Sequence, residues 1–190
     1  MRSSIYLLLL FHLISLTGIA QSYEKTNLGV KASVNSTVVE IQFYSPEIVR
    51  IIKYPAGKNF EKKSLSVVKT AENISFTVSK QDANVSLKSK SIDVILNLND
   101  GSVSFKKFDG KPLLNEKKSC ALFTDFNDTG NKTYTVTQSF VLDKKESIYG
   151  LGILQNGKMS QRNQKLHMVQ NNTWDFVTFF QFFNYKCLIL

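Results

Sequence analysis

The stretch SIDVILNLNDGSVSF, Ser91 to Phe105, decides the fold class. Ile92, Val94, Leu96 and Leu98 recur at every second residue, so an extended chain lines them along one side. Asp93 and Asn97 fall on the other. Asn99-Asp100-Gly101 then supplies residues that tolerate a left-handed backbone, the mark of a tight turn. Val103 and Phe105 resume the same spacing on the way back. This is a hairpin with one dry face and one wet face.

The period of two extends outward in both directions. Upstream, Val85 and Leu87 alternate with polar residues, as do Ile74, Phe76 and Val78. Val39, Ile41 and Phe43 alternate with Glu40 and Gln42; Pro46 breaks the run, and Ile48 to Tyr54 resumes it until Pro55. Downstream, Asp109-Gly110 marks another turn, and Tyr134 to Leu142 forms the last clear strand. Spacing of the helical kind is hard to find from Val30 onward. Roughly eight to ten short strands separated by polar turns predict an all-β, antiparallel sandwich or barrel. One wet face per strand favours two sheets packed face to face. Lys58 to Lys63 reads as a charged loop, and Asp125 to Lys132 as a polar loop tip. No fixed-period repeat, low-complexity tract or linker divides the chain.

The first twenty residues predict export. Arg2 gives a positive start, Ile5 to Leu16 are apolar except for His12 and Ser15, and Gly18 and Ala20 place small residues before a cut ahead of Gln21. The run is shorter than the roughly 20 apolar residues a membrane-spanning helix needs. The expected product lies in the periplasm or outside the cell, without a membrane partner. The formal charge of +9 is almost wholly lysine, since Arg2, Arg50 and Arg162 are the only arginines. Lysines interleaved with apolar residues make a solvated strand surface that resists edge-to-edge aggregation. They lack the guanidinium forks of a nucleic-acid reader, so no nucleic-acid partner is expected. Two cysteines, Cys120 and Cys187, cannot supply a disulfide framework. Cys120 sits in an apolar, strand-like run and reads as a small buried hydrophobe. There is no His/Cys cluster, so no structural zinc is expected, and no cofactor.

Catalytic chemistry is not visible. A Ser-His-Asp triad needs a base, and beyond the leader the only histidine is His167. Gly150-Leu151-Gly152 lacks the third glycine and the helix of a dinucleotide loop. Asp100, Asp109, Glu116, Asp125 and Asp128 are the carboxylates available for glycoside chemistry, and nearly all lie in turns that Asp and Asn normally build. No residue is assigned a catalytic role. Six Asn-x-Ser/Thr sequons begin at Asn35, Asn73, Asn84, Asn127, Asn131 and Asn171.

Ile148 to Phe180 differs in kind. Two glycines flank Leu151 where a strand ends; a polar stretch with Arg162 follows; then the only tryptophan, Trp174, stands beside Asn171, Asn172 and Asp175. An indole face stacks on a pyranose ring while amides and a carboxylate take its hydroxyls. A tryptophan filling the sandwich core beside loop-forming asparagines is the competing reading.

At this segment the chain resembles glycoside hydrolase family 31, especially its bacterial α-xylosidase and α-glucosidase branch. The resembling residues are Tyr149-Gly150-Leu151-Gly152, Gln155-Asn156-Gly157-Lys158, Gln161-Arg162-Asn163 and Gln170-Asn171-Asn172-Thr173. Upstream, Ile41 to Ile51 resembles that family's strand, Ser-Pro and Arg-bearing strand, and Asp109 to Glu116 resembles its turn before a Leu-Leu-x-Glu stretch. The likeness spans about Val30 to Phe180. It implies a galactose-mutarotase-like sandwich over residues 21–180, followed in the family by a (β/α)8 barrel whose two aspartates hydrolyse α-glycosides with retention. The sandwich lends a loop to the rim of the substrate pocket, which would fall at Gln170, Asn171, Asn172, Thr173, Trp174 and Asp175. Residues 181–190 depart from the pattern: an apolar end with Cys187 stands where the family continues into its barrel. The expectation is a sandwich incomplete at its C-terminus, the non-catalytic N-terminal part of a secreted α-glycosidase acting on α-glucosides or α-xylosides. A free-standing carbohydrate-binding module and a secreted structural protein are the alternatives.

Overall fold

The structure is a computed structural model that describes residues 23–61, 67–150 and 157–165, together with the strand backbones of 180–183 and 186–189. The described residues form strands and no helix, so none crosses a membrane as a helix. The chain divides into two compact units, Met1–Val141 and Leu142–Leu190.

The first unit is built on two antiparallel sheets. One contains β1 (Tyr23–Lys25), β2 (Gly29–Val34), β3 (Thr37–Phe43) and β4 (Val49–Pro55), in that order. The other runs β12 (Phe140–Val141), β9 (Pro112–Glu116), β8 (Val103–Lys107), β7 (Ile92–Asn97), β6 (Asn84–Lys88) and β5 (Thr77–Gln81). Alternation fixes which residues meet. Val30, Ala32 and Val34 from β2 and Val39, Ile41 and Phe43 from β3 share one buried cluster with Val85, Leu87, Val94, Leu96 and Val103 of the second sheet and with Leu98 just after β7. That common core makes the two sheets a sandwich. Burying each large aliphatic or aromatic side chain contributes about 1.5–3 kcal/mol. A one-residue slip of any strand would turn its core set to solvent, so the registers are strongly specified.

Two backbone features set this packing. Gly29 sits opposite Gln42, and a Cβ there would lie 2.0 Å from the Ile41 carbonyl oxygen, so only glycine lets β2 and β3 approach so closely. The Asn35-Ser36 turn between them holds both residues at positive φ, 47° and 62°, as a two-residue hairpin requires.

Three details differ from the sequence reading. Ile74 and Phe76 pack against the core without pairing, and β5 begins only at Thr77. Cys120 is buried but lies between strands rather than in one. The segment read as a loop tip, Asp125 to Lys132, is mostly strand: β10 (Leu122–Asp128) and β11 (Asn131–Thr137) form a hairpin closed by Thr129-Gly130 at φ 46° and 94°. Polar composition suggested a loop, but threonine favours strands and the turn provides the twist that antiparallel strands need. This hairpin pairs with no other strand among the described residues, and it exposes Leu122, Phe126 and Val136 by more than half.

In the second unit, residues 143–150 and 157–165 are tied by their own hydrogen bonds, and β13 (Phe180–Phe183) pairs antiparallel with β14 (Lys186–Ile189).

Candidate functional site

The six residues expected to contact sugar, Gln170, Asn171, Asn172, Thr173, Trp174 and Asp175, lie outside the described residues, as does His167. The segment that leads to them is described in part. Arg162 donates from Nη1 to the carbonyl oxygens of Asp143 and Glu146, each at 2.6 Å. Gln161 is 5 % exposed: its backbone N–H bonds the Ile148 carbonyl at 2.7 Å and its side-chain amide donates to the Lys158 carbonyl at 2.8 Å. Asn163 completes the turn at φ 60°. Gln161 and Arg162 therefore clamp two chain segments through backbone carbonyls.

Of the carboxylates considered for chemistry, two hold turns, two are exposed and one is buried. Asp100 caps the turn it sits in, accepting from the backbone N–H and hydroxyl of Ser102 at 2.9 and 2.5 Å. Asp109 accepts from the Lys111 N–H at 3.0 Å. Asp125 and Asp128 stand exposed on the β10–β11 hairpin. Glu116 alone is buried, and it faces a lysine, not a second carboxylate. Among the described residues no group of three or more His, Cys, Asp or Glu could hold a metal ion.

Two lysine–glutamate pairs organise the polar chemistry of the sandwich. Lys53 lies opposite Val39 in the β3–β4 register, which turns it inward with the core residues. Its ammonium reaches Glu116 Oε2 at 2.5 Å and the Gly101 carbonyl at 3.0 Å, and both side chains are under a tenth exposed. Glu116 also accepts from the Val103 N–H (2.7 Å), the Gln138 amide (2.9 Å) and the Cys120 thiol (3.2 Å). Burial, and then the Glu116 charge, push the Cys120 thiol above its ordinary pKa. This network bridges the sheets, and sequence reading missed it because an inward lysine looks like any surface lysine.

The second pair lies on the outer face of the first sheet. Glu40 accepts from the Tyr54 hydroxyl at 2.6 Å, from Lys31 at 3.2 Å and from the Gln42 amide at 3.1 Å. Partial burial works to raise the Glu40 pKa, but the hydrogen bonds from Tyr54 and Lys31 and the lysine charge outweigh it, so the carboxyl lies below its ordinary value. Asn27, Lys31, Glu40 and Gln42 edge an open depression of about 450 Å³. Farther along this sheet Arg50 donates to the Tyr44 hydroxyl at 2.9 Å. At the adjoining turn Ser45 caps Glu47, and Ser89, in the turn between β6 and β7 of the second sheet, donates to the Pro46 carbonyl at 2.7 Å. The Ser-Pro and Arg motif is thus a joint between sheets.

This motif, the turn before Glu116 and the Arg162 clamp fall in the order of one known family. The family described as the glycosyl hydrolase 31 N-terminal galactose mutarotase-like domain matches residues 38–178. The chain belongs to that family. Its sandwich is similar to part of the family 31 α-xylosidase of Xanthomonas citri, with a TM-score of 0.73 and 29% identity over 82% of this chain and 17% of that one. Likeness extends in fold to an α-xylosidase from a soil metagenome complexed with xylose (TM-score 0.61, 16% identity, 73% of this chain, 23% of that chain). It extends also to the Flavobacterium johnsoniae dextranase complexed with glucose (TM-score 0.58, 21% identity, 74% and 17%). The family 31 domain thus spans about a sixth of the length of the Xanthomonas enzyme. No curated protein sequence matches it.

Proposed function

We propose that this chain serves as the non-catalytic N-terminal scaffold of an exported α-glycosidase, supporting a separate catalytic barrel and lending Gln170 to Asp175 to the rim of its sugar pocket. One observation carries the reading: the family 31 N-terminal domain match covers residues 38–178, and every described carboxylate considered for catalysis is spent on a turn, a surface or a lysine. Hydrolysis with retention needs two carboxyl groups about 5–5.5 Å apart across the scissile bond. In this reading those groups belong to the barrel, and the scaffold's part is to position Trp174 for stacking on a sugar face while Asn171, Asn172 and Asp175 take hydroxyls.

The substrate class is an α-xyloside or α-glucoside; support comes from the α-xylosidases and the dextranase whose sandwiches are similar. The leader up to Ala20 would deliver the protein to the periplasm or beyond, with Gln21 as its first residue. Turnover of p-nitrophenyl α-xyloside and α-glucoside by the isolated chain tests the scaffold reading, with none expected. Turnover that is lost on mutating a carboxylate of this chain overturns it. Titration with xylo-oligosaccharides, comparing the native protein with Trp174→Ala, tests the pocket loop: a stability loss without an affinity loss assigns Trp174 to the core.

A further inference from the structure

Cys120 sits in contact with both members of the buried ion pair. Its sulfur lies 3.3 Å from the Lys53 ammonium and 3.2 Å from Glu116, and Glu116 in turn lies 2.5 Å from Lys53. Nucleophile, amine and proton carrier are in mutual contact, joined from positions 67 residues apart in sequence. The thiol is 3% exposed, so the pocket has no room for a second protein thiol or glutathione. Ser119, next to it, is held at φ 49° in the exposed Lys117–Ser119 turn, which leaves a small oxidant one short segment to pass.

We propose that Lys53 and Cys120 form a covalent cross-link between the two sheets when the protein meets a hydroperoxide. Hydrogen peroxide first oxidises the sulfur by two electrons: the O–O bond breaks, an S–O bond forms, and one water leaves, giving the sulfenic acid. Such an acid condenses with a nearby nitrogen, and the nitrogen within reach is Lys53 Nζ. Glu116 takes one ammonium proton, the freed lone pair attacks sulfur, the S–O bond breaks, and the hydroxyl departs with that proton as a second water. A further proton is released as the S–N bond settles into a neutral sulfenamide. Thiol, ammonium and one peroxide thus give sulfenamide, two waters and one proton. The raised thiol pKa makes the first step slow, which suits a residue that responds to sustained rather than passing oxidant.

Peptide mapping of the folded chain after excess hydrogen peroxide tests this. The expected product joins the Lys53 and Cys120 peptides with the loss of two hydrogens, and dithiothreitol releases it. A link that keeps one oxygen, formed with a second peroxide as N–O–S, supports the same site. Cys120→Ser and Lys53→Arg should both abolish the link, Lys53→Arg because a guanidinium keeps the charge without the nucleophile. In Lys53→Arg a dimedone-type probe should then capture the sulfenic acid. The linked protein should also unfold at higher urea than its reduced form, because a long loop is closed. Sulfinic or sulfonic acid at Cys120 with a free Lys53, an untouched thiol after prolonged oxidation, or an equal yield of link in urea-unfolded protein would each overturn the proposal.

Discussion

The sandwich holds one lysine–glutamate pair between its sheets and another across neighbouring strands of its outer face, and the two are unlike in kind. Lys53–Glu116 is under a tenth exposed and spans the sheets, whereas Lys31–Glu40 lies across neighbouring strands with side chains 45% and 19% exposed. Outside, water competes for both charges and salt screens them, so the pair adds little. Inside, the charges have lost their water, and every compensating bond must come from protein. Glu116 accordingly collects four donors, from Lys53, Val103, Gln138 and Cys120. Among the described residues, no buried side-chain nitrogen or oxygen lacks a partner. The comparison teaches that one pair of residue types is a structural commitment in one place and a surface detail in another.

The largest effect should come from halving the inner pair. Glu116→Ala strands the Lys53 charge and the Val103 N–H in a dry site, and the expected loss is about 3–5 kcal/mol, read from urea unfolding. A loss below about 1 kcal/mol would mean that water reaches the site and that the two pairs are alike. The double replacement Lys53→Met with Glu116→Leu sharpens the point. Removing both charges removes the stranded partner, so the double variant should be more stable than either single one by about 2 kcal/mol or more. Additive losses would show that the network matters bond by bond instead of as a balanced pair.

Next in size is the bond that makes the outer pair more than a surface contact. Glu40→Gln keeps the shape but weakens the 2.6 Å bond from Tyr54 and removes the charge facing Lys31. A loss of about 1 kcal/mol is expected. Lys31→Ala should move the urea midpoint less than Glu40→Gln, and added salt should erase the difference from wild type.

The sequence made one of these regions legible and hid the other. Alternation at Val39, Ile41, Phe43, Val94 and Leu96 named the core side because each of those strands has one apolar set. In β4 the residues Val49 to Tyr54 offer two interleaved apolar sets, so alternation could not say that Lys53 faces in. Nor could it name Glu116, which is 63 residues away and met only when the sheets close. The turns at Asp100-Gly101 and Asp109-Gly110 were readable from local chemistry. The β10–β11 hairpin was not, because its threonines and asparagines are as common in loops as in exposed strands. The family motifs marked the right segments, yet the structure gives Arg162 and Ser45 to backbone joints, roles that a motif does not announce. The pocket-loop residues Gln170 to Asp175 were legible only through family resemblance and lie outside the described residues.

The smallest predicted effect separates the pairs by pH. Glu40 has its folded-state pKa depressed below 4.5, the value it would resume on unfolding. A depressed carboxyl contributes its full stability above the unfolded value and loses it as pH falls through the folded one. The stability gap between wild type and Glu40→Gln should therefore be constant near neutrality and shrink as the pH falls below 4.5. Measuring both proteins by urea unfolding at neutral and acid pH checks this. A gap that widened in acid would reverse the sign and mean that Glu40 is stabilised in its protonated form, as donor rather than acceptor toward Tyr54.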